Sequence, residues 1–247
     1  MDRMLYIAMG GAKNALLAQA TNSHNLANAN TTGFKADIDE FKANPVYGPM
    51  LASRVVSEDS RVGTNLNAGS IITTGRELDI AIQGDGWLSV QAADGQEAYT
   101  RAGDLRINSA GLLTTGAGHP VLGNDGPIAI PPASKIEIGA DGGVTIMAPG
   151  DPLTAPLLVD RIRLVNPPAA SMEKRLDGLM GVKPGAEDVV PDAAVRVVPG
   201  ALEGSNVNSV DSMVRMIQYA RMFETQSKLM QQADANGEAT NRLLALS

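Results

Sequence analysis

Histidines are the first residues to test for chemistry, because histidine is the commonest general base and metal ligand in proteins. The chain has two, His24 and His119, and no cysteine. Neither histidine has a second histidine at metal-ligand spacing or belongs to a recognisable Ser/His/Asp arrangement. His24 is predicted to be a hydrogen-bonding interface residue on a helix, and His119, which precedes Pro120, a turn residue.

Glycine-rich and acidic segments also lack a functional pattern. Residues 139–143, GADGG, have neither the Lys and Ser/Thr of a phosphate-binding loop nor the dinucleotide fingerprint, so they predict a hairpin turn. No loop has the alternating oxygen ligands and closing Glu of a helix-loop-helix calcium site. Aromatic residues make up only 3%, which leaves little for stacking sugars. We therefore expect no catalytic residue, no cofactor and no metal site, and the chain is not expected to be an enzyme.

The charge distribution argues against a nucleic-acid partner. The net charge is -7, and no cluster of Lys and Arg is available for phosphate contacts. Most of the negative charge lies in the middle of the sequence, whereas the two ends are close to neutral. Near-neutral ends can pack side by side in many copies, which is a weak indication of assembly through the ends.

The sequence has no run of about 18 apolar residues, so membrane insertion is not expected. Its first 20 residues lack the charged start and continuous apolar stretch of a secretory leader. If the protein leaves the cytoplasm, we expect it to do so without a cleaved signal peptide.

Helical spacing is found at both ends of the chain. Residues 1–30 predict a helix whose 4-3 spaced stripe is diluted by polar residues: Leu5, Met9, Ala12, Leu16, Gln19, Ser23 and Leu26. Residues 205–247 predict a second helix with a stripe at the same spacing: Met216, Ala220, Phe223, Ser227 and Met230. We expect the two helices to pair, antiparallel or as a coiled-coil-like supercoil. The alternative is that each helix docks separately on the middle domain.

The middle of the chain predicts short strands. Residues 31–75 are rich in Thr, Asn, Gly and Ser and predict an extended or hairpin-like connector. Residues 76–204 predict an all-β domain, sandwich or barrel-like, because turn signals recur between β-prone pieces. One expected hairpin joins alternating Leu78, Ile80 and Ile82 to a return strand from Trp87 through the turn 84–86. The fold class is therefore predicted to be α+β.

The end of the first helix carries an unusual segment, 24–35, with the sequence HNLANANTTGFK. Asn25 and Asn28 share a helix face, where their amides could bond to neighbouring chains. Gly33 can adopt positive φ after the helix stops, and Phe34 follows as an anchor. By spacing alone, an ordinary helix C-terminus followed by a turn is the favoured explanation of the segment.

This segment resembles the N-terminal signature of the rod and hook proteins of the bacterial flagellum. Residues 199–230 resemble the C-terminal segment of the same family, with the sequence PGALEGSNVNSVDSMVRMIQYARMFETQSKLM. Three middle segments are also similar: RELDIAIQGDGWLSVQ from Arg76, AYTRAGDLRINSAGLLTT from Ala98 and HPVLGNDGPIAIP from His119. The chain's length and its run 219–226, YARMFETQ, are most similar to proximal-rod members. Distal-rod and hook members tend to have Gln-Arg-x-Tyr-Glu-x-Asn there, and they remain the nearer alternative.

The resemblance implies a structural subunit of the flagellar rod that crosses the periplasm and transmits torque. It implies that the partners are further copies of the chain, other rod proteins and the flagellar type III export apparatus. The terminal helices would form the inner tube, and the β domain would lie outside. A secreted β-domain binding module is the alternative from another class. The residues expected at the assembly interface are Leu5, Met9, Ala12, Leu16, Asn25, Leu26, Asn28, Gly33, Phe34, Asn206, Met213, Met216, Ile217, Ala220, Phe223 and Met230.

Overall fold

The structure is a computed structural model that describes residues 2–45, 55–147, 156–186 and 189–244. The chain divides into two compact units. The first, here the helical unit, consists of Met1–Ala29, Asp37–Asn65 and Val207–Ser247. The second, here the β unit, consists of Asn30–Ala36 and Leu66–Asn206. The fold is α+β, as the sequence predicts.

The helical unit contains two long helices and a β-hairpin. Helix α1 spans Asp2–Ala27 and helix α2 spans Ser209–Leu244, and the two pack on each other. The Asn22 amide donates a 2.7 Å hydrogen bond to the Ser212 carbonyl. A Cβ atom added to Gly11 would lie 2.8 Å from the Gln226 side chain. Residue 22 of α1 therefore lies beside residue 212 of α2, and residue 11 lies beside residue 226. Sequence numbers that fall along α1 rise along α2, so the two helices are antiparallel. Strand β1 (Asp37–Pro45) pairs antiparallel with β2 (Val55–Thr64).

Small side chains line the face of α1 that meets α2. These residues recur at spacings of three and four and are Ala8, Gly11, Ala15, Ala18, Asn22 and Asn25. The less exposed residues of α2 follow the same rhythm and include Ser212, Met216, Tyr219, Gln226, Met230 and Ala233. Small residues on one helix allow the larger side chains of the other to approach its backbone closely. We call this contact the seam.

The seam corrects the stripe expected from the sequence. That stripe was predicted to face the second helix through Met9 and Leu16, but these side chains are 52% and 51% exposed. Ala12 is the one buried member of the stripe. Helical spacing of large apolar residues predicts the wrong face, because α1 contacts α2 through alanine and glycine. Since each residue advances a helix by 100°, an offset of one residue moves the stripe to a different face.

The described residues of the β unit form fourteen short strands and one 3-10 turn, Ala169–Ser171. The strands are β3 Ile71–Thr73, β4 Ile80–Gln83, β5 Trp87–Gln91, β6 Glu97–Thr100, β7 Leu105–Ile107, β8 Leu113–Thr115, β9 Lys135–Ile138, β10 Gly143–Met147, β11 Leu157–Arg161, β12 Leu164–Val165, β13 Met172–Lys174, β14 Met180–Val182, β15 Arg196–Pro199 and β16 Ala201–Glu203. The sheet orders are β12-β5-β6-β14-β13, β11-β10-β9, β15-β4, β16-β3 and β7-β8, with all pairs antiparallel. None of the described strands closes a sheet into a barrel.

Of the two predicted hairpin turns, the one at 139–143 is confirmed and the one at 84–86 is wrong. Residues 139–143 turn between β9 and β10, and the turn at Gly95 joins β5 to β6. The turn at 84–86 does not make β4 and β5 a hairpin, because β4 pairs with β15 while β5 pairs with β6 and β12. Arg101 donates to the Gly84 carbonyl, and Val195 packs against Gly86, so both neighbours of this loop come from elsewhere in the chain.

Aliphatic side chains from most of the strands form the main core of the β unit. Its most fully buried members are Ile80, Leu88, Val90, Leu105, Leu113, Val121, Ile128, Val144, Ile162 and Val197. A second cluster contains Trp87, Tyr99, Val165, Met172 and Met180. Trp87 is the chain's one tryptophan, so its fluorescence reports on the β unit alone.

Candidate assembly site

Three of the sequence segments singled out above meet inside the β unit. Lys35 ends the first segment, Arg101 lies in AYTRAGDL, and Glu203 lies in the C-terminal segment. The Lys35 ammonium is 2.7 Å from one oxygen of the Glu203 carboxylate, and the Arg101 guanidinium is 2.8 Å from the other. All three side chains are almost completely buried, with 3% or less of each exposed. We call these residues the charge cluster.

Backbone contacts hold the two segments side by side. The Gly33 N–H donates to the Glu203 carbonyl at 2.8 Å, and Gly33 has a φ of 67°, the positive value expected for it. The Ala36 N–H donates to the Asn206 side-chain oxygen at 2.8 Å, while the Asn206 amide donates to the Asn67 carbonyl. Hydrogen bonds therefore join residues 33–36 to residues 203–206 at the end of β16.

The charge cluster contains two cations and one carboxylate. Lys35 also donates to the Asn67 carbonyl, and Arg101 donates to the Gly84 carbonyl. The Trp87 ring lies 5.9 Å from the Lys35 ammonium and 5.3 Å from the Arg101 guanidinium. An indole face attracts cations, so the ring offsets part of the excess positive charge.

The pKa values of the cluster follow from this imbalance. Burial lowers the pKa of Lys35, and the hydrogen bond and charge of Glu203 only partly oppose this. The like charge of Arg101 adds to the lowering. Burial alone would raise the pKa of Glu203. Hydrogen bonds from Lys35 and the Gly69 N–H, with the charge of Arg101, hold it below its usual value instead. Glu203 is therefore ionised in the folded β unit.

Acid is expected to destabilise the β unit through Glu203. Because folding depresses the pKa of this carboxyl, its stabilisation is complete above the ordinary carboxyl value of about 4.3 and is lost as the pH falls through the depressed folded value. The urea midpoint measured by Trp87 fluorescence should fall over that acid range. In Glu203→Gln this component of the acid dependence should be missing. An acid dependence that the substitution leaves unchanged would contradict the assignment to Glu203.

The helical unit presents large apolar side chains to solvent on the faces away from the seam. On α1 these are Met9 and Leu16, and on α2 they are Val210, Met213, Val214, Ile217 and Met222. Each of these residues is at least 45% exposed. Exposed apolar surface on this scale is typical of interaction sites. We call these residues the outer helix faces.

The comparisons with known proteins agree with the sequence segments. Three family models match: Flagella basal body rod protein at residues 5–35, Flagellar hook protein FlgE/F/G D1 domain at 81–146, and Flagellar basal body rod FlgEFG protein C-terminal at 198–243. The flagellar basal-body rod protein FlgF of Salmonella typhimurium is 42% identical, and that of Escherichia coli 41%, with 100% of both chains covered in each comparison. The chain belongs to the flagellar basal-body rod protein family. The rod protein FlgG of Bacillus subtilis is 31% identical over 95% of this chain and 96% of its own.

Each range matched by the rod-protein models contributes one member of the charge cluster. Lys35 lies in the first range, Arg101 in the second and Glu203 in the third. Sequence reasoning did not single out these three as site residues. The available signal was that each of these charged residues lies inside an apolar or glycine-rich segment. Nothing in the sequence, however, indicates that positions so far apart form ion pairs.

Asn25 and Asn28, whose amides are expected to bond to neighbouring chains, make hydrogen bonds within this chain. The Asn25 amide donates to the Asp37 carbonyl and accepts from the Asp37 N–H, both at 2.8 Å. The Asn28 amide donates to the His24 carbonyl at 3.0 Å. His24 lies 3.1 Å from the Asp37 carboxylate. These side chains therefore fix the end of α1 to the start of β1.

The other expected interface residues lie in several environments. Met213 and Ile217 are on the outer helix faces, 55% and 56% exposed, and Ala220 is also exposed. Phe34 lies under the Lys174 ammonium, 4.3 Å from its ring centroid, inside the β unit. Phe223 is 36% exposed, and the remainder are partly buried on the helices or at their edges: Leu5, Leu26, Met216 and Met230. The expected set therefore mixes internal contacts with exposed ones.

The described part of the chain contains no group of three or more His, Asp and Glu residues placed to hold a metal ion. In the same residues, no helix combines the length and apolar character needed to cross a membrane. His119 lies in the connection after β8, where its N–H donates to the Thr115 hydroxyl at 3.2 Å.

Proposed function

We propose that this chain is a structural subunit of the proximal part of the flagellar basal-body rod, where it passes torque toward the distal rod and hook. Its similarity to FlgF proteins over the whole of both chains supports this role. The single observation that carries the mechanism is the pair of outer helix faces, which leave large apolar side chains in water. Packing among copies or related rod proteins would bury them, which is favourable by about 25 cal/mol per Å² of apolar surface.

In this proposal residues 1–30 and 205–247 form an axial, coiled-coil-like domain of the rod. Residues 31–75 are the connector, and residues 76–204 are a sandwich-like domain that faces outward in the rod. The outer helix faces, rather than the seam, contact neighbouring subunits. The partners are further copies of this chain and other rod proteins. The chain travels through the flagellar type III export apparatus and works where the rod spans the periplasm, and it performs no catalysis.

A distal-rod role is the second candidate, because the FlgG protein of Bacillus subtilis is also similar over nearly the whole chain. The position of the chain in isolated basal bodies separates the two roles. A signal confined to the motor-proximal end of the rod supports the first proposal, and one extending toward the hook supports the second.

Ile217→Asp is expected to abolish incorporation into basal bodies and swimming in a strain that lacks the native gene. The substitution places a charge on an outer helix face where a neighbour's apolar surface should pack, and burying an unpaired carboxylate is costly. The isolated protein should keep its helix content by circular dichroism, since Ile217 is exposed and off the seam. Met216 is less suitable because it lies on the seam, where a charge would disturb the monomer as well.

Gln218→Asp is the matched control. It puts the same charge one residue along α2, at an exposed polar position. This variant should assemble and support swimming. Equal swimming by both variants would rule out the outer face of α2 as the contact with neighbouring subunits.

A further inference from the structure

The last segment of the β unit completes strands that come much earlier in the chain. Residues 195–206, here the closing segment, contain β15 and β16. Strand β15 is the only described strand hydrogen-bonded to β4, whose Ile80, Ala81 and Ile82 are at most 2% exposed. Strand β16 pairs in the same way with β3. Without the closing segment, a strand at the centre of the core would have its amides buried along an unpaired edge.

The closing segment also supplies the one carboxylate of the charge cluster. The groups around Glu203 are the Lys35 ammonium, the Arg101 guanidinium and the Gly69 N–H. Among the described residues, the two cations also contact the carbonyls of Asn67 and Gly84 and the Trp87 ring, all of them uncharged. Before Glu203 arrives, closing this region would bury two cations together without a counter-charge. A buried charge without a partner is strongly unfavourable.

The contacts that relieve this cost span most of the chain. Lys35 and Glu203 are 168 positions apart, and Arg101 and Glu203 are 102 apart. Contacts between such distant positions form late, because the entropy of closing the loop is lost before the contact is gained. Strand pairs between sequence neighbours, such as β5–β6 and β9–β10, close only short loops, so loop entropy does not delay their formation.

We propose that the closing segment is a folding checkpoint: the β unit stays open until Glu203 enters and neutralises Lys35 and Arg101. An incomplete chain therefore cannot fold this unit prematurely, whatever strands it already contains. This inference concerns the isolated chain and does not depend on the role in the rod. Its failure and the failure of the proposed function are thus separate results.

Pulsed hydrogen exchange during refolding of the full chain tests the checkpoint. The amides of Ile80 in β4, which donates to the Gly103 carbonyl, Ser89 in β5 and Val197 in β15 should gain protection in one kinetic phase, together with the change in Trp87 fluorescence. Protection of Ile80 and Ser89 in an earlier phase than Val197 would overturn the proposal, because the early strands would then close without the closing segment.

Charge variants separate neutralisation from simple loss of hydrogen bonds. Glu203→Gln should refold at least tenfold more slowly than the unaltered chain. Combining it with Lys35→Met removes one of the two cations, so the double variant should refold faster than Glu203→Gln alone. A double variant that is as slow as the single one, or slower, would overturn the role of charge. Should Glu203→Gln fail to fold, the exchange experiment on the unaltered chain decides the question.

Discussion

Glu203→Gln is expected to lower the free energy of unfolding of the β unit by about 3–5 kcal/mol, the cost typical of removing one partner from a buried ionic cluster. The amide keeps the shape of the side chain but leaves Lys35 and Arg101 buried with no carboxylate. Urea unfolding followed by Trp87 fluorescence measures this loss, because Trp87 contacts both cations and is the single tryptophan.

Glu137→Gln is the matched control for this prediction. The Glu137 carboxylate also pairs with a lysine, Lys135, but both side chains are at the surface, 51% and 41% exposed. Water solvates either partner when the other is removed, so the urea midpoint should change little. If the two variants shift the midpoint equally, the burial of the charge cluster contributes nothing to the stability of the β unit.

Gly33→Ala should be destabilising for two independent reasons. Gly33 has a φ of 67°, and a non-glycine residue held there costs about 1–3 kcal/mol. Its added Cβ would also lie 2.3 Å from backbone atoms of Arg101 and Ala102, so the backbone must shift, at a further cost of about 1–3 kcal/mol. The movement would pull Lys35 and Arg101 apart, and the midpoint of urea unfolding by Trp87 fluorescence should fall accordingly.

Gly95→Ala separates the two causes. Gly95 has a φ of 81° in the β5–β6 turn, and nothing lies within 4 Å of an added Cβ. The control therefore carries only the cost of holding a non-glycine residue at positive φ, so Gly95→Ala should be clearly less destabilised than Gly33→Ala. Equal losses would show that the approach of the two backbones at Gly33 is not a constraint.

The sequence predicted the helices more reliably than the faces they use. The spacing at both ends of the chain indicates helices because apolar and small residues recur every three or four positions. The same rhythm runs through several faces of α1, however, and hydrophobicity alone selects Met9 and Leu16 over Ala15 and Ala18. Alanine and glycine bury little area but allow close approach, which only the partner helix reveals.

The β unit shows a similar division between local and distant information. Turns such as Gly95 and 139–143 could be read locally, because glycine at positive φ marks them. The pairing of β4 with β15 could not, since the turn at 84–86 looks like an ordinary hairpin turn in sequence. The charge cluster lay beyond prediction for the same reason: Lys35 and Glu203 meet only when strands from both ends of the unit are assembled.

Thiol labelling of Ile217→Cys in isolated protein and in purified basal bodies tests the role of the outer helix faces most directly. The chain has no cysteine of its own, so maleimide found on this chain, once it is separated from other proteins by electrophoresis, reports on position 217. The isolated protein should be labelled rapidly, because this side chain is exposed. In basal bodies the same thiol should be protected by the neighbouring subunit. Equally rapid labelling in both samples would contradict assembly through these faces.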